Sequence, residues 1–366
     1  MHPALLLLPT LAGCSAERLD EVAEGDLRHL SGVLTSSKRG IARATIPVEA
    51  TDRALLVTAQ TDAPGAVHVR SLTAPDHTEV FSSTEWNDSP YNKTNGGFLS
   101  TVATLNWPVS ADDPGLEEGD WEIELGVVDA DNQYVAQDVA IDVLLKQDDS
   151  LDDGRVHVAV LFTDGAEDDS EARDAVDGAK QRWAEIYAAI GIEVVFEQDS
   201  AYDGSALEAP ALAVEQAYAT IASRTGVPHV NLVVSEDIVD FADAYGIAGD
   251  IPGPLVPSTR SAVQVSLLDA AGIDGHFSDQ DIRILGETMA HESGHFLGLF
   301  HPVEGDWQGW DVLDDTPECD STRTCLDELG TNLMFPVTVC SGGTCIEQDD
   351  ITADQGAVTQ RYTGTE

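Results

Sequence analysis

The 366-residue sequence holds 66 Asp and Glu against 18 Lys and Arg, a formal net charge of −48. Such a charge repels phosphate backbones and anionic bilayers, which sets nucleic acid aside as a partner and leaves surface solubility or cation binding as the use of the acidity. With 42% hydrophobic and 23% charged residues, the chain is apolar and long enough for a globular protein of two domains.

Residues 1–13 are short, apolar and leucine-rich, and they run into Leu11-Ala12-Gly13-Cys14. The run is too short to span a bilayer and suits a signal peptide. The four residues resemble a bacterial lipobox, although no Lys or Arg precedes the apolar run. The resemblance implies that Cys14 is lipid-modified and that membrane contact is made only through this anchor. It also implies an exported protein of the cell envelope, at the outer membrane given Ser15, or an extracellular one. Residues 14–45 are polar and read as a tether or short leader. Over 46–147, the short alternating apolar stretches Ala54–Ala59, Ala66–Leu72, Thr101–Trp107, Trp121–Val127 and Val139–Leu145 are separated by Pro, Gly, Asn and Asp clusters. Strands at this spacing predict an all-β sandwich or jelly roll, with a structural or substrate-docking role. Sequons stand at Asn87 and Asn92.

An acidic linker leads into a second domain over 152–366. Arg155–Phe162, Ile192–Glu197 and Val230–Val234 read as strands. Ser170–Ile190, which stops at Gly191, and Ala209–Arg224 read as helices. Strand–helix–strand units predict a mostly parallel twisted sheet with helices packed on it, an α/β fold. Apart from Cys14, the cysteines are Cys319, Cys325, Cys340 and Cys345. In an exported chain they predict two disulfides with three pairings open, since no C-x-x-C spacing suggests a thiolate metal site.

Ser278-Asp279-Gln280-Asp281 opens a further helix with a variant of the capping box. Ile282, Leu285, Met289 and Phe296 give it an apolar stripe, and His291-Glu292-Ser293-Gly294-His295 lies on it. Histidines four apart project from one helical face, as two imidazoles must to reach one metal. The pattern extends through Gly298, which frees the chain to turn, to His301 as a third ligand. Three neutral imidazoles leave one position of a zinc ion open, as in catalytic sites.

This motif resembles that of the metzincin zinc peptidases, and the chain is most similar among them to the pappalysins. Asn332-Leu333-Met334 resembles the Met-turn, Asp315-Thr316-Pro317 and Tyr245-Gly246-Ile247-Ala248 with Pro252 resemble flanking segments, and Ile351–Gln355 resembles the start of a final helix. The likeness covers about 155–362. It implies a metzincin-like catalytic domain with an irregular C-terminal subdomain, and an endopeptidase acting on extracellular proteins or peptides. Zinc would be held by His291, His295 and His301, with Glu292 as general base toward a water on the metal, and Gly298 and Met334 as supports. Substrate would lie along the edge strand near Tyr245–Gly249. Pro336 stands where some relatives carry a tyrosine. Calcium at the acidic loop, through Asp311, Asp314 and Asp315, is the second cofactor expectation. The competing readings are a surface-anchored binding lipoprotein whose peptidase-like domain is inactive, and a metzincin of another subfamily. Trp307 and Trp310 pack over a loop or line a specificity pocket, and His157, His229 and His276 have no motif partners.

Overall fold

The computed structural model describes residues 17–24, 27–62, 64–83, 100–110, 112–147, 153–163, 165–197, 199–201, 230–238, 244–258, 260–271 and 275–366. Cys14, the sequons at Asn87 and Asn92, the helix expected over 209–224 and His229 lie outside them.

Ten strands come first: β1 (Glu17–Arg18), β2 (Asp20–Glu24), β3 (Leu27–Thr35), β4 (Ile41–Val48), β5 (Ala54–Gln60), β6 (Ala66–Thr73), β7 (Glu79–Ser82), β8 (Val102–Trp107), β9 (Gly119–Val128) and β10 (Asp138–Lys146). They form two five-stranded sheets, ordered β1-β4-β9-β6-β7 and β2-β3-β10-β5-β8. Leu30, Ile46, Val57, Leu105, Trp121 and Val143 fill the space between. Strand β4 alternates half-buried and buried residues along its length, as a strand with one face on a core should.

The sandwich corrects one expectation. Residues 17–45 are not a tether, because most of them are strands, and β3 pairs with β10 from Leu27↔Lys146 to Thr35↔Asp138. The strand was hidden by polar residues that the fold neutralises. Arg28, only 5% exposed, is paired with Asp52 and with Glu21, so a charged residue sits inside without an unpaired charge.

The second part is a mixed α/β assembly around a six-stranded sheet of β11 (Gly154–Phe162), β12 (Ile192–Phe196), β13 (Ser200–Ala201), β14 (Val230–Ser235), β15 (Gly246–Ala248) and β16 (Val263–Ser266). The order is β12-β11-β14-β16-β15, with β13 beside β11. All pairings are parallel except that of β15, which lies antiparallel to β16 at the edge. Every residue of β14 and β16 is buried, as expected of strands covered on both faces. The Ser170–Ala188 helix, capped by the Asp169 carboxylate, packs Val176, Trp183 and Tyr187 into the same core as Leu285, Met289 and Phe296 of the Asp279–Phe296 helix.

Beyond that helix the chain is irregular apart from the helices Thr322–Leu329 and Ala353–Arg361 and the hairpin β17 (Cys340–Ser341) and β18 (Thr344–Cys345). Disulfides join Cys319 to Cys325 and Cys340 to Cys345, one of the three pairings that had been open. Among the described residues, no helix is long and apolar enough to cross a membrane.

Candidate metal centre

The Asp279–Phe296 helix starts where the sequence places it. Ser278 accepts the Asp281 N–H, and Asp281 accepts the Ser278 N–H at 2.8 Å, a complete capping box. Its far end turns at Gly298, whose φ of +105° is a conformation that side chains rarely adopt. The Gly298 N–H still bonds to the His295 carbonyl, and the chain then folds back so that His301 faces the two helical histidines.

The three rings are oriented through their Nδ1 atoms. His291 Nδ1 donates to the Leu333 carbonyl at 2.7 Å, His295 Nδ1 to the Leu299 carbonyl at 2.7 Å, and His301 Nδ1 to the Glu304 carboxylate at 3.1 Å. A carbonyl or carboxylate only accepts, so each ring carries a proton on Nδ1, and a neutral ring then presents a bare Nε2 lone pair. Those Nε2 atoms converge, at 3.1 Å between His295 and His301 and 3.3 Å between His301 and His291. Ligands about 2.0–2.1 Å from one tetrahedral centre stand ~3.4 Å apart, close to these two spans, and all three ligand atoms lie within 4.8 Å of one another. Burial, aided by the neighbouring His301 ring, lowers His291 to about 3 and holds His295 well below the ordinary imidazole range. Both are therefore neutral at physiological pH, the form that binds metal. The three histidines form a group that can hold a metal ion.

Glu292 lies beside them without joining them. Its carboxyl accepts the Ala248 N–H of the edge strand, and burial raises it to about 8. A cation among the imidazoles would favour the ionised carboxylate and oppose that shift. Glu292, His291 and His301 line an open cleft of about 750 Å³. Strand β15 and the residues after it form one wall, Leu333 to Thr338 the other, and the histidine helix the floor.

Met334 is fully buried beneath the helix. A Cβ at position 294 would lie 2.6 Å from the Met334 sulfur, so Gly294 is what lets the thioether reach the helix backbone. Two partners of this region were not read from the sequence. The buried Asn332 and Gln355 amides bond to each other at 2.9 and 3.2 Å, and Asn332 Oδ1 also accepts the Met334 N–H, which locks the turn carrying the Leu333 carbonyl. Glu304 is the other. It gives His301 an anionic acceptor where its two companions have neutral ones. Carboxylate partners of this kind raise ligand basicity, and their loss typically weakens metal binding ~10–100-fold. Glu304→Gln is expected to weaken metal binding by that amount in competition with a chromogenic chelator, whereas Glu318→Gln on the acidic loop should leave it unchanged.

Among the described residues the histidine triad is the group of three side chains that converges on one ion position, and Asp311, Asp314 and Asp315 are not gathered into such a group. Asp315 instead accepts Thr352 Oγ1 and the Asp354 N–H, both at 2.8 Å, and ties the loop to the final helix. Asp311 accepts Thr316 Oγ1 and the Leu313 N–H, and burial pushes it up to about 7. Trp307 stacks on Phe335 at 6.0 Å between centroids, and Trp310 Nε1 donates to the Cys319 carbonyl, so these rings pack the loop against one cleft wall. His157 pairs with Glu197 and His276 with Glu171, both away from the triad. Cys340 lines the cleft, and its hairpin is held to the histidine helix by Arg283, which donates to the Cys345 carbonyl at 2.8 Å.

No model of a known protein family matches the chain, and no curated protein matches it in sequence. Among solved structures, metalloproteinase-II from Bacteroides fragilis aligns at 13% identity over 54% of this chain with a TM-score of 0.28. The alignment spans 63% of that protein, less than two thirds of its length. A likeness of that size carries no functional argument.

Proposed function

We propose that the chain is an exported, zinc-dependent endopeptidase of the metzincin type, most similar to the pappalysins, that cleaves extracellular proteins or peptides. The observation that carries this reading is the convergence of three Nε2 lone pairs beside a buried carboxyl on the floor of an open cleft. Export agrees with four cysteines joined in two disulfides, and Cys14 would provide a lipid anchor. A binding protein with an inactive site would not need the three ligands, the carboxyl and the turn glycine together.

Zinc in this site would supply Lewis acidity toward the scissile carbonyl and water. The protein does the rest. His291, His295 and His301 would hold the cation with imidazoles oriented in advance. Glu292 takes the proton of the attacking water on its carboxylate and returns it to the leaving amine nitrogen. A substrate peptide lies extended in the cleft and adds to the outer edge of β15, the last strand of its sheet, as a further antiparallel strand. Pro336 offers no phenol at the position where some relatives have one, so proton transfer rests on Glu292.

The test is digestion of a diverse peptide mixture with zinc-loaded protein, with cleavage sites read by mass spectrometry. Internal cleavages that stop on chelation and return with zinc are expected. A zinc-loaded, folded protein that leaves every peptide intact would overturn the proposal.

A further inference from the structure

The β-sandwich shares a core with the α/β part rather than hanging beside it. Leu56 of β5, Leu144 of β10 and Val109 just after β8 belong to the same apolar cluster as Val156, Leu232 and Val263. Six consecutive residues of β5, Ala54–Ala59, are buried, so this strand is covered on both faces. Lys146, 2% exposed, donates to the carbonyls of Gln360 and Thr365 and closes the contact from the other side.

Two further bonds from the sandwich reach one segment, the loop that follows β15. Thr104 Oγ1 donates to the Pro252 carbonyl at 2.7 Å in a buried contact, and Gln60 Nε2 donates to the Pro257 carbonyl at 3.2 Å. That loop carries Asp250, Ile251 and Arg260 of the cleft wall. Gly253, just after Pro252, meets the end of the histidine helix. The Gly253 N–H donates to the Phe296 carbonyl at 2.8 Å, and a Cβ on Gly253 would fall 2.0 Å from the Phe296 ring. Phe296 directly follows His295. One continuous line therefore runs from Thr104 through Pro252 and Gly253 to the end of the histidine helix, while the same loop continues the edge strand that takes the substrate backbone.

We infer that the β-sandwich is a fixed buttress of the cleft, with Thr104 as a positioning residue that sets the wall at Gly249, Asp250, Ile251 and Arg260. Its kinetic consequence rests on the peptidase reading; its structural consequence does not. Thr104→Val keeps the shape and removes the donor to Pro252. In the full-length, zinc-loaded protein, hydrogen exchange over residues 246–262 should then quicken at least ~5-fold while the Ser170–Ala188 helix is unaffected, the scale set by losing about one buried hydrogen bond. KM for a cleaved peptide should rise ~5–10-fold, with kcat and zinc content unchanged, because the wall binds substrate but does not touch the proton being transferred. Thr104→Ser, which restores the hydroxyl, should recover both readouts.

Wild-type exchange over 246–262 in folded Thr104→Val overturns the inference, as does a fall in kcat at constant KM. Should Thr104→Val fail to fold, Gln60→Ala removes the exposed partner bond to the same loop, and unchanged exchange over 246–262 in that variant counts equally against it. If the wild type cleaves no peptide, the peptidase reading fails while the exchange measurement still decides the buttress.

Discussion

Glu292→Gln is expected to retain about one zinc per chain while losing at least ~10²-fold in peptide cleavage, the lower range for removal of a general base. The substitution preserves size and still accepts the Ala248 N–H through its carbonyl oxygen, so the edge strand and the floor of the cleft stay in place. What disappears is the carboxylate that lines the cleft beside the three imidazoles; Glu304, the other one near them, is occupied by His301 Nδ1 at 3.1 Å. Glutamine cannot take a proton from water, and no other carboxyl of the cleft replaces it. Asp250 lies off the helix against Arg260, and Glu287 is engaged by Arg283 at 2.8 Å through both oxygens. Metal analysis and peptide cleavage on the same preparation check the result. Wild-type turnover in the glutamine variant would refute the assigned role even with zinc bound.

His295→Ala should instead lose the metal. Each imidazole supplies roughly a third of a binding free energy of ~10–16 kcal/mol, so removing one weakens binding by ~10²-fold or more. The wild-type Tm should rise with added zinc, since a ligand at about a hundred times its Kd stabilises the folded chain by about 2.7 kcal/mol. The variant should show no such rise. His295 is buried and donates to Leu299, so its loss also costs the fold roughly 1–3 kcal/mol for an orphaned carbonyl. The comparison is therefore made between variant and wild type, each with and without zinc. A zinc-dependent Tm in His295→Ala equal to that of wild type would show that the metal is held elsewhere.

The parts of the fold and site that were legible in the sequence are those written in local spacing. The i, i+4 histidines, the glycine three residues beyond them and the Ser-x-x-Asp cap lie within 24 residues of one another, 278–301, and helical geometry converts that spacing directly into position. The apolar runs behind β5, β8, β9 and β10 were visible for the same reason. What escaped notice depends on distant partners. Strand β3 looked like tether because the carboxylates that neutralise Arg28 come from β2 and from Asp52. Gln355, the partner of Asn332, lies 23 residues away. Glu304 gave a weak local signal, a carboxylate three residues after a ligand, in a loop so acidic that no single residue stands out. The interface between the two parts was not foreseen either: Ala54–Ala59 reads as one strand of a sandwich, yet all six residues are buried, Thr58 included.

The two disulfides have a consequence for the order of events in maturation. They join nearest neighbours, with sequence separations of 6 and 5, and the entropy of closing a loop is smallest when few residues intervene. Each bridge can close within its own stretch of chain, without the sheets or the histidine helix having formed. The pairing needs no tertiary template, and rearrangement of mispaired cysteines is correspondingly less needed. A chain delivered unfolded to an oxidising compartment can thus have the hairpin beside its cleft covalently closed before there is a cleft for it to border.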